Sequence, residues 1–427
     1  MPSRSVGPLL VAALAASLAG CGGARKPDAA QLLEEELFVD TAVTTRFFRF
    51  DGEPPRAFDP DRLVAGGLRA ALLGAGSLTE EQIVRDPLHF NTRAPEPGRP
   101  AFRHVFGGAA AVKRVLWEFD AVHTAVERAG GRLVLARAAG DIERARQEKK
   151  LALVVGLDSG VGIEDLEVLR AYHRLGLRKL AVVHAGPVAW ANSCFGVAGD
   201  SDRGLSDFGR QVVRECNRLG ILVDISHASD ETMWSVLRTS DRPILASHSG
   251  ARSVTNSVRN LTDDMLRELA RKGGVIGVGA YYDQSMFDRS AATGYYDRTI
   301  RIQRYLAERN SDPFQLAAAI REPARNEEAR KALGLPEPRP DERVKEGGSQ
   351  ITEVSDVKGT LDHLDYLVRL IGVEHVALGT DIDMRRSDYL SIVRQLAAGL
   401  VERGYAREDI RKVLGGNFLR LLRANGN

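Results

Sequence analysis

The sequence predicts an α/β protein of the (β/α)8, or TIM-barrel, class. Three observations lead there. Short apolar, β-branched runs recur along the chain, segments of helical periodicity lie between them, and several runs end in an acid or a histidine. Continuous apolar runs suit strands buried on both faces, and strand–helix alternation suits a parallel sheet. In a barrel of this class the strand C-termini share one face, where active sites form. A doubly wound open sheet gives a similar alternation but does not gather so many strand ends round one centre. No glycine-rich phosphate loop opens a helix, which also argues against a nucleotide fold.

The N-terminus comes first. Arg4 precedes an apolar run from Val6 to Gly20, too short to span a bilayer comfortably. It closes on Leu18-Ala19-Gly20-Cys21, which resembles the bacterial lipoprotein box. That resemblance makes residues 1–20 a signal peptide and Cys21 the lipidated first residue of the mature chain. Residues 21–30 follow as a flexible tether. An ordinary cleaved signal peptide with an incidental cysteine is the other reading. The lipoprotein reading places the protein in the bacterial cell envelope, anchored to a membrane and facing the periplasm or exterior. Residues 31–427 then form a single barrel domain.

Six runs mark its strands. They are Leu151 to Asp158, Leu180 to His184, Ile221 to His227, Pro243 to His248, Gly274 to Tyr281 and His375 to Asp381. Helices are expected from Ile163 to Leu175, after Ser206-Asp207 with Gly220 as a stop, from Thr262, and from Gly359 to Ile371. The segment at about 282–356, before the last strand, breaks the rhythm with charge and prolines. It reads either as a lid over the mouth or as a disordered surface insertion. Trp117, Trp190 and Trp234 sit in apolar contexts and read as core.

Composition narrows the function. With 44% hydrophobic and 27% charged residues, wholesale disorder and a polytopic membrane protein are excluded. Lys+Arg at 59 nearly balances Asp+Glu at 57, so there is no electrostatic footprint for nucleic acid. Cys21, Cys194 and Cys216 form no C-x-x-C pair, which argues against a thiolate zinc site and a disulfide scaffold. His227 and His248 instead end consecutive strand runs, with Asp158 ending an earlier one. Two neutral imidazoles and a carboxylate are donors for zinc or a similar divalent ion.

Several motifs also follow one family in order and spacing. They are Gly156-Leu-Asp-Ser-Gly160, Leu180 to His184, Gly204 to Gly209, Asp224-Ile-Ser-His227 and Ala246-Ser-His-Ser249. Arg259-Asn260 with Asp263-Asp264, Gly379-Thr-Asp381 and Gly415-Gly-Asn-Phe418 complete the set. Together they resemble the renal (membrane) dipeptidase family over roughly residues 34–425. The resemblance implies a metal-dependent barrel that cleaves dipeptides at a two-zinc centre. By position, His227 and His248 match the histidines of the second zinc, and Asp158 matches a bridging carboxylate that the family supplies as Glu. His184 matches the histidine that contacts substrate and stabilises the oxyanion. Arg259 matches the arginine near the substrate carboxylate, and Asp381 the catalytic aspartate. Family members are often dimers, so the resemblance also implies a homodimer.

The match fails at the first strand. The family places His-x-Asp there as ligands of the first zinc, whereas this chain has Ala42 and Thr44. His363-Leu-Asp365 is the chain's only H-x-D and lies in a helical pattern. The expectation is therefore a hydrolase with one Zn2+ held by Asp158, His227 and His248, a metal-bound water as nucleophile and Asp381 as general base. Its substrate would be a small peptide or an N-acyl amino acid. The alternative is a catalytically impaired barrel that binds peptides or cell-wall fragments, or acts as a scaffold. For the anchor, Cys21→Ser is expected to move the protein from the membrane to the soluble fraction, as read by fractionation and immunoblot.

Overall fold

The computed structural model describes residues 29–44, 59–75, 109–184, 187–194, 202–279, 327–334, 357–382, 384 and 387–426. The signal peptide, Cys21, the tether and most of the 282–356 segment lie outside the described residues. Within that segment a helix spans Glu327–Ala332.

Nine strands form one sheet: β1 (Phe38–Thr44), β2 (Leu68–Ala75), β3 (Leu133–Leu135), β4 (Leu151–Leu157), β5 (Leu177–Ala181), β6 (Leu222–Asp224), β7 (Leu245–Ser249), β8 (Val275–Val278) and β9 (Val376–Leu378). Their order is β1-β2-β4-β5-β6-β7-β8-β9, with β3 paired on β4 outside that path. Every ladder is parallel. Eight strands thus form a nearly closed (β/α)8 barrel, as the alternation in the sequence predicts.

Side-chain alternation divides the strands into two faces. On β4, Leu151, Leu153, Val155 and Leu157 join the large core beneath the surrounding helices. Ala152 and Val154 instead join Ala70, Leu72, Leu222, Leu245, Val275 and Ala377 in a second cluster with Ile142 and Phe418. This apolar floor fills the lower barrel. Above it the inward positions turn polar, and the chemistry begins there.

The helices are set by local chemistry. Ser206 caps Asp207–Leu219, its hydroxyl accepting from the Gly209 N–H, and Gly220 ends it in the left-handed region at φ 76°. Thr262 likewise caps Asp263–Arg271. Two readings of the sequence need correction. The fifth strand begins at Leu177, not Leu180, so it includes Lys179, a charged residue that breaks an apolar run. Trp117 is 38% exposed, because its helix turns Val115, Phe119 and Val122 inward and leaves Trp117 on the outer face. Trp190 is buried and Trp234 packs on the core.

The first and last strands are clasped by Asp40. Its carboxylate is fully buried and accepts from the Ala42 N–H (3.1 Å), the Thr380 N–H (2.9 Å), the Thr380 hydroxyl (2.5 Å) and the Tyr389 hydroxyl (3.0 Å). The Asp381 N–H also donates to the Ala42 carbonyl at 2.8 Å. Burial pushes the Asp40 carboxyl up to about 6, against the pull of these donors. Tyr389→Phe keeps the ring and removes one donor to a buried carboxylate. It is expected to lower stability by about 1.5–3 kcal/mol, measured as a shift in the urea midpoint at neutral pH with unchanged slope.

Candidate functional site

Parallel strands bring Asp158, His184, His227, His248 and Asp381 to one end of the barrel. Asp158 follows β4, His184 follows β5, His227 follows β6, His248 lies in β7, and Asp381 follows β9. Arg259 enters from the segment after β7 and is 3% exposed. Two of these residues have unusual backbones. His227 and Asp381 are non-glycine residues at φ 69° and φ 54°. Such conformations cost energy and persist where the surroundings hold them, often at functional sites. At His227 the hold is visible: its carbonyl accepts from the Cys194 N–H at 2.8 Å and the Ser193 hydroxyl at 3.2 Å. The Ser193 hydroxyl also reaches the His184 carbonyl at 2.7 Å, lacing the two histidine segments together.

Three imidazoles stand in a row. His184 and His227 have ring centroids 4.3 Å apart, and His227 and His248 5.0 Å apart. The Nε2 atoms of His227 and His248 face each other at 2.9 Å. The hydrogen-bonding pattern assigns their protons. The Asp224 carboxylate accepts from the Ser226 and Ser247 N–H groups, both at 3.0 Å, and from the Ser247 hydroxyl at 2.6 Å. The single hydroxyl proton of Ser247 is thus given to Asp224. Ser247 Oγ must therefore accept from Nδ1–H of His248, 2.7 Å away. His248 is left with its Nε2 lone pair aimed at His227. Oriented imidazoles of this kind are what metal sites use.

Electrostatics keeps the histidines neutral. Burial first, then the Arg259 guanidinium, holds His227 and His248 well below the usual range. Burial takes His184 down to about 4, with Asp158 opposing and Arg259 and Lys179 assisting. Asp381 moves the other way. Burial and the neighbouring Asp158 raise it to about 7, against Arg259. A carboxyl near 7 suits proton transfer at neutral pH.

Asp158 is engaged elsewhere. Its Oδ1 accepts from Nζ of Lys179 at 2.7 Å, and the same ammonium lies 3.1 Å from Oδ2 of Asp224. Burial alone would lower the Lys179 ammonium, but the Asp158 and Asp224 carboxylates raise it above its ordinary value. Lys179 gave no functional signal in the sequence. Gly74 and Gly156 make the room. A Cβ on Gly74 would lie 1.7 Å from the Asp158 carboxylate, and one on Gly156 would lie 2.5 Å from the Lys179 side chain.

The donors can be tested against a metal. The His227–His248 pair fits, since bonds of about 2.05 Å to a tetrahedral ion put two nitrogens roughly 3.4 Å apart, a small spreading from 2.9 Å. Of the two first-zinc positions, Ala42 has no donor atom and the side chain of Thr44 lies outside the described residues. Nearby, Asp40 is consumed in the clasp and the Thr41 hydroxyl donates to the Ser247 and Leu378 carbonyls at 2.8 and 3.0 Å. Among the described residues, no group of three or more His, Cys, Asp or Glu stands close enough to hold an ion. The structure brings the two histidines together but turns Asp158 to Lys179. His363 is structural, with Nδ1 accepting from the Ala251 N–H at 3.2 Å. Cys194 and Cys216 are free thiols.

Comparison with known proteins follows this geometry. A family profile described as membrane dipeptidase (peptidase family M19) matches residues 31–426. The dipeptidase tcpJ of Claviceps purpurea (strain 20.1) is 26% identical over 323 residues, which is 74% of this chain. The chain spans 60% of that curated relative's length. The probable dipeptidase PvdM from Pseudomonas aeruginosa superposes with a TM-score of 0.67 at 24% identity, covering 93% of this chain and 97% of that one. A metallopeptidase from Rhodobacter sphaeroides, solved with a phosphinate mimic of the dipeptide L-Ala-D-Ala, gives 0.62 at 22% identity. That match covers 91% of this chain and 99% of that one. These two likenesses establish a shared fold.

The raised Asp381 carboxyl has a thermodynamic signature. Its folded value of about 7 exceeds the free value of about 3.9. Between those pH values the folded protein keeps a proton that the unfolded chain has lost, so stability falls as pH rises. Asp381→Asn does not titrate and tolerates the left-handed backbone. With metal chelated, its stability relative to wild type is expected to grow by roughly 1.4 kcal/mol per pH unit through this window and level off above it. Denaturant unfolding at pH 4.5, 6 and 7.5 reads this; a constant offset contradicts the raised value.

Proposed function

This chain belongs to the membrane dipeptidase family, and from that premise we propose that it hydrolyses dipeptides or related small amides, such as N-acyl amino acids, with one divalent ion. The observation that carries this reading is the His227–His248 pair, two neutral imidazoles aimed Nε2 to Nε2 at the barrel mouth. Those residues would hold the ion, with the Asp158 carboxylate oxygen that Lys179 does not hold as third donor. Zinc suits such ligands, and when bound it would polarise a scissile carbonyl and acidify a water.

The chain's own groups divide the remaining tasks. Asp381, ionised above about pH 7, takes a proton from the attacking water. As the C–N bond breaks it returns that proton to the leaving amine. His184 is half-buried and neutral, and its buried Nδ1 meets no hydrogen-bond partner among the described residues. In this reading the ring turns a donor toward the carbonyl oxygen as negative charge develops. Arg259 fixes its guanidinium by donating from Nη2 to the His248 carbonyl at 3.0 Å. Its Nη1 is buried without a partner among the described residues and is left to pair with a substrate carboxylate.

A second reading is favoured by the Asp158–Lys179 contact and the donor-poor end of β1: a barrel that binds peptides or cell-wall fragments without turnover. The lipid anchor at Cys21 and a homodimer complete the proposal, placing the barrel at an envelope membrane.

Metal content and turnover separate the readings. The purified protein is expected to retain about one zinc equivalent after dialysis, and none in His227→Ala/His248→Ala. Across a panel of dipeptides and N-acyl amino acids, Asp381→Asn should lower kcat by about 10²–10⁴-fold. It should also remove the rise of activity with pH through about 7. Arg259→Lys should act mainly on KM for substrates with a free carboxylate. Equal turnover by wild type and Asp381→Asn contradicts the assigned base, and binding without metal or turnover favours the second reading.

A further inference from the structure

The inward positions just above the apolar floor hold an ion cluster whose lysine and second aspartate the hydrolytic steps do not use. Lys179 rises from β5 with a side chain 2% exposed, past Gly156, and places Nζ 2.7 Å from Asp158 Oδ1 and 3.1 Å from Asp224 Oδ2. Asp224 is fully buried. It in turn accepts from the Ser247 hydroxyl at 2.6 Å, and Ser247 accepts from Nδ1–H of His248 at 2.7 Å. A continuous hydrogen-bonded line therefore runs from Asp158 through Lys179, Asp224 and Ser247 to His248 and His227.

We infer that Lys179 is a resident cation of the site, neutralising Asp158 and Asp224 as a metal ion would and so limiting the centre to a single divalent ion. Three observations converge on it. The ammonium is bonded to both carboxylates, so neither faces the interior uncompensated. The backbone is cut away to admit it, since any Cβ at Gly156 would lie 2.5 Å from its Cδ. And among the described side chains β1 offers no free acid, Ala42 having no donor atom and the Asp40 carboxylate being held in the clasp. A second divalent ion at Asp158 would sit beside this ammonium inside the barrel, where like charges repel strongly.

Lys179 is also a positioning residue. It holds the Asp224 carboxylate to which Ser247 donates, and through Ser247 it keeps the His248 Nε2 lone pair directed at His227. The inference deepens the one-ion hydrolase reading and rests on it for the first ion, but it turns on Lys179 and Asp224, which that reading does not use, so the two fail separately.

The experiment counts divalent ions, zinc and then manganese, retained by the full chain after equilibrium dialysis. Wild type is expected to hold one. Lys179→Met should hold one more, because two facing carboxylates lose their counter-ion. Lys179→Arg should stay at the wild-type count, and Lys179→Met/Asp224→Asn should lose the additional ion. Two equivalents on wild type overturn the inference without any variant, as does an unchanged count in a folded Lys179→Met. None on wild type with one on Lys179→Met sinks the hydrolase reading and keeps this one. Should Lys179→Met unfold, recovery of its circular dichroism on adding manganese supports the resident cation, and failure to recover with any divalent ion overturns it.

Discussion

A lysine ammonium buried between two aspartates on neighbouring strands is the interaction on which the rest of the mouth depends. Taking such charges out of water is costly, and geometry must offset the cost. Here it does so with two short contacts to one ammonium and three further protein donors on Asp224. Losing one partner of such a cluster strands the others, which typically costs about 3–5 kcal/mol. The cluster therefore constrains β4, β5 and β6 at the level where the barrel turns from floor to active mouth. The glycines on β2 and β4 follow from it, because Asp158 and Lys179 need the volume that side chains would occupy.

What lies above inherits this order. The Asp224–Ser247 contact decides which nitrogen of His248 carries a proton, and that decides where its lone pair points. Burial without a close carboxylate partner keeps both facing imidazoles neutral. Asp381 is raised instead, by burial first and then by the nearby Asp158, and the β1–β9 contact holds its backbone at φ 54°. One set of buried charges thus pushes histidines toward their ligand form and an acid toward neutral pH. Titratable groups driven apart in this way are the usual mark of assigned acid–base roles.

Much of this was legible in the sequence, and the gaps have physical reasons. The apolar runs located β4 and β6 to β9, and the caps at Ser206, Gly220 and Thr262 form as the residues suggest. His227 and His248 were readable as a pair because both end strands. β2 was not readable: Leu68 to Ala75 is rich in alanine, poor in β-branched residues and suited to a helix until the neighbouring strands bury it on both faces. Lys179 was hidden by the same rule that found the strands, since a charged residue in an apolar run reads as an edge or a boundary. Its partners lie on other strands, and only the fold brings them to it. The Asp40 clasp, made with Thr380 and Tyr389 at the far end of the chain, was invisible for that reason as well.

Charge balance is the physical ground for the proposal of one ion, not two, at this mouth. Setting aside Asp40, which faces the clasp, the fixed charges are the carboxylates of Asp158, Asp224 and Asp381 against Lys179 and Arg259. At full ionisation they leave a single negative charge. A divalent ion on the histidine pair reverses it to a single positive charge, and the carboxylate of a bound N-acyl amino acid, which carries no ammonium, brings it to neutrality. A second divalent ion would leave two unmatched positive charges in a buried, weakly screened site, where repulsion is strongest. A two-ion centre needs acidic donors to absorb that charge, and among the described side chains of β1 the one acid, Asp40, is already held in the clasp. On the proposal of a resident lysine cation, Lys179 and the altered first strand are two sides of one electrostatic solution: a covalent cation stands where a bound one would, and it needs only the two aspartates already present.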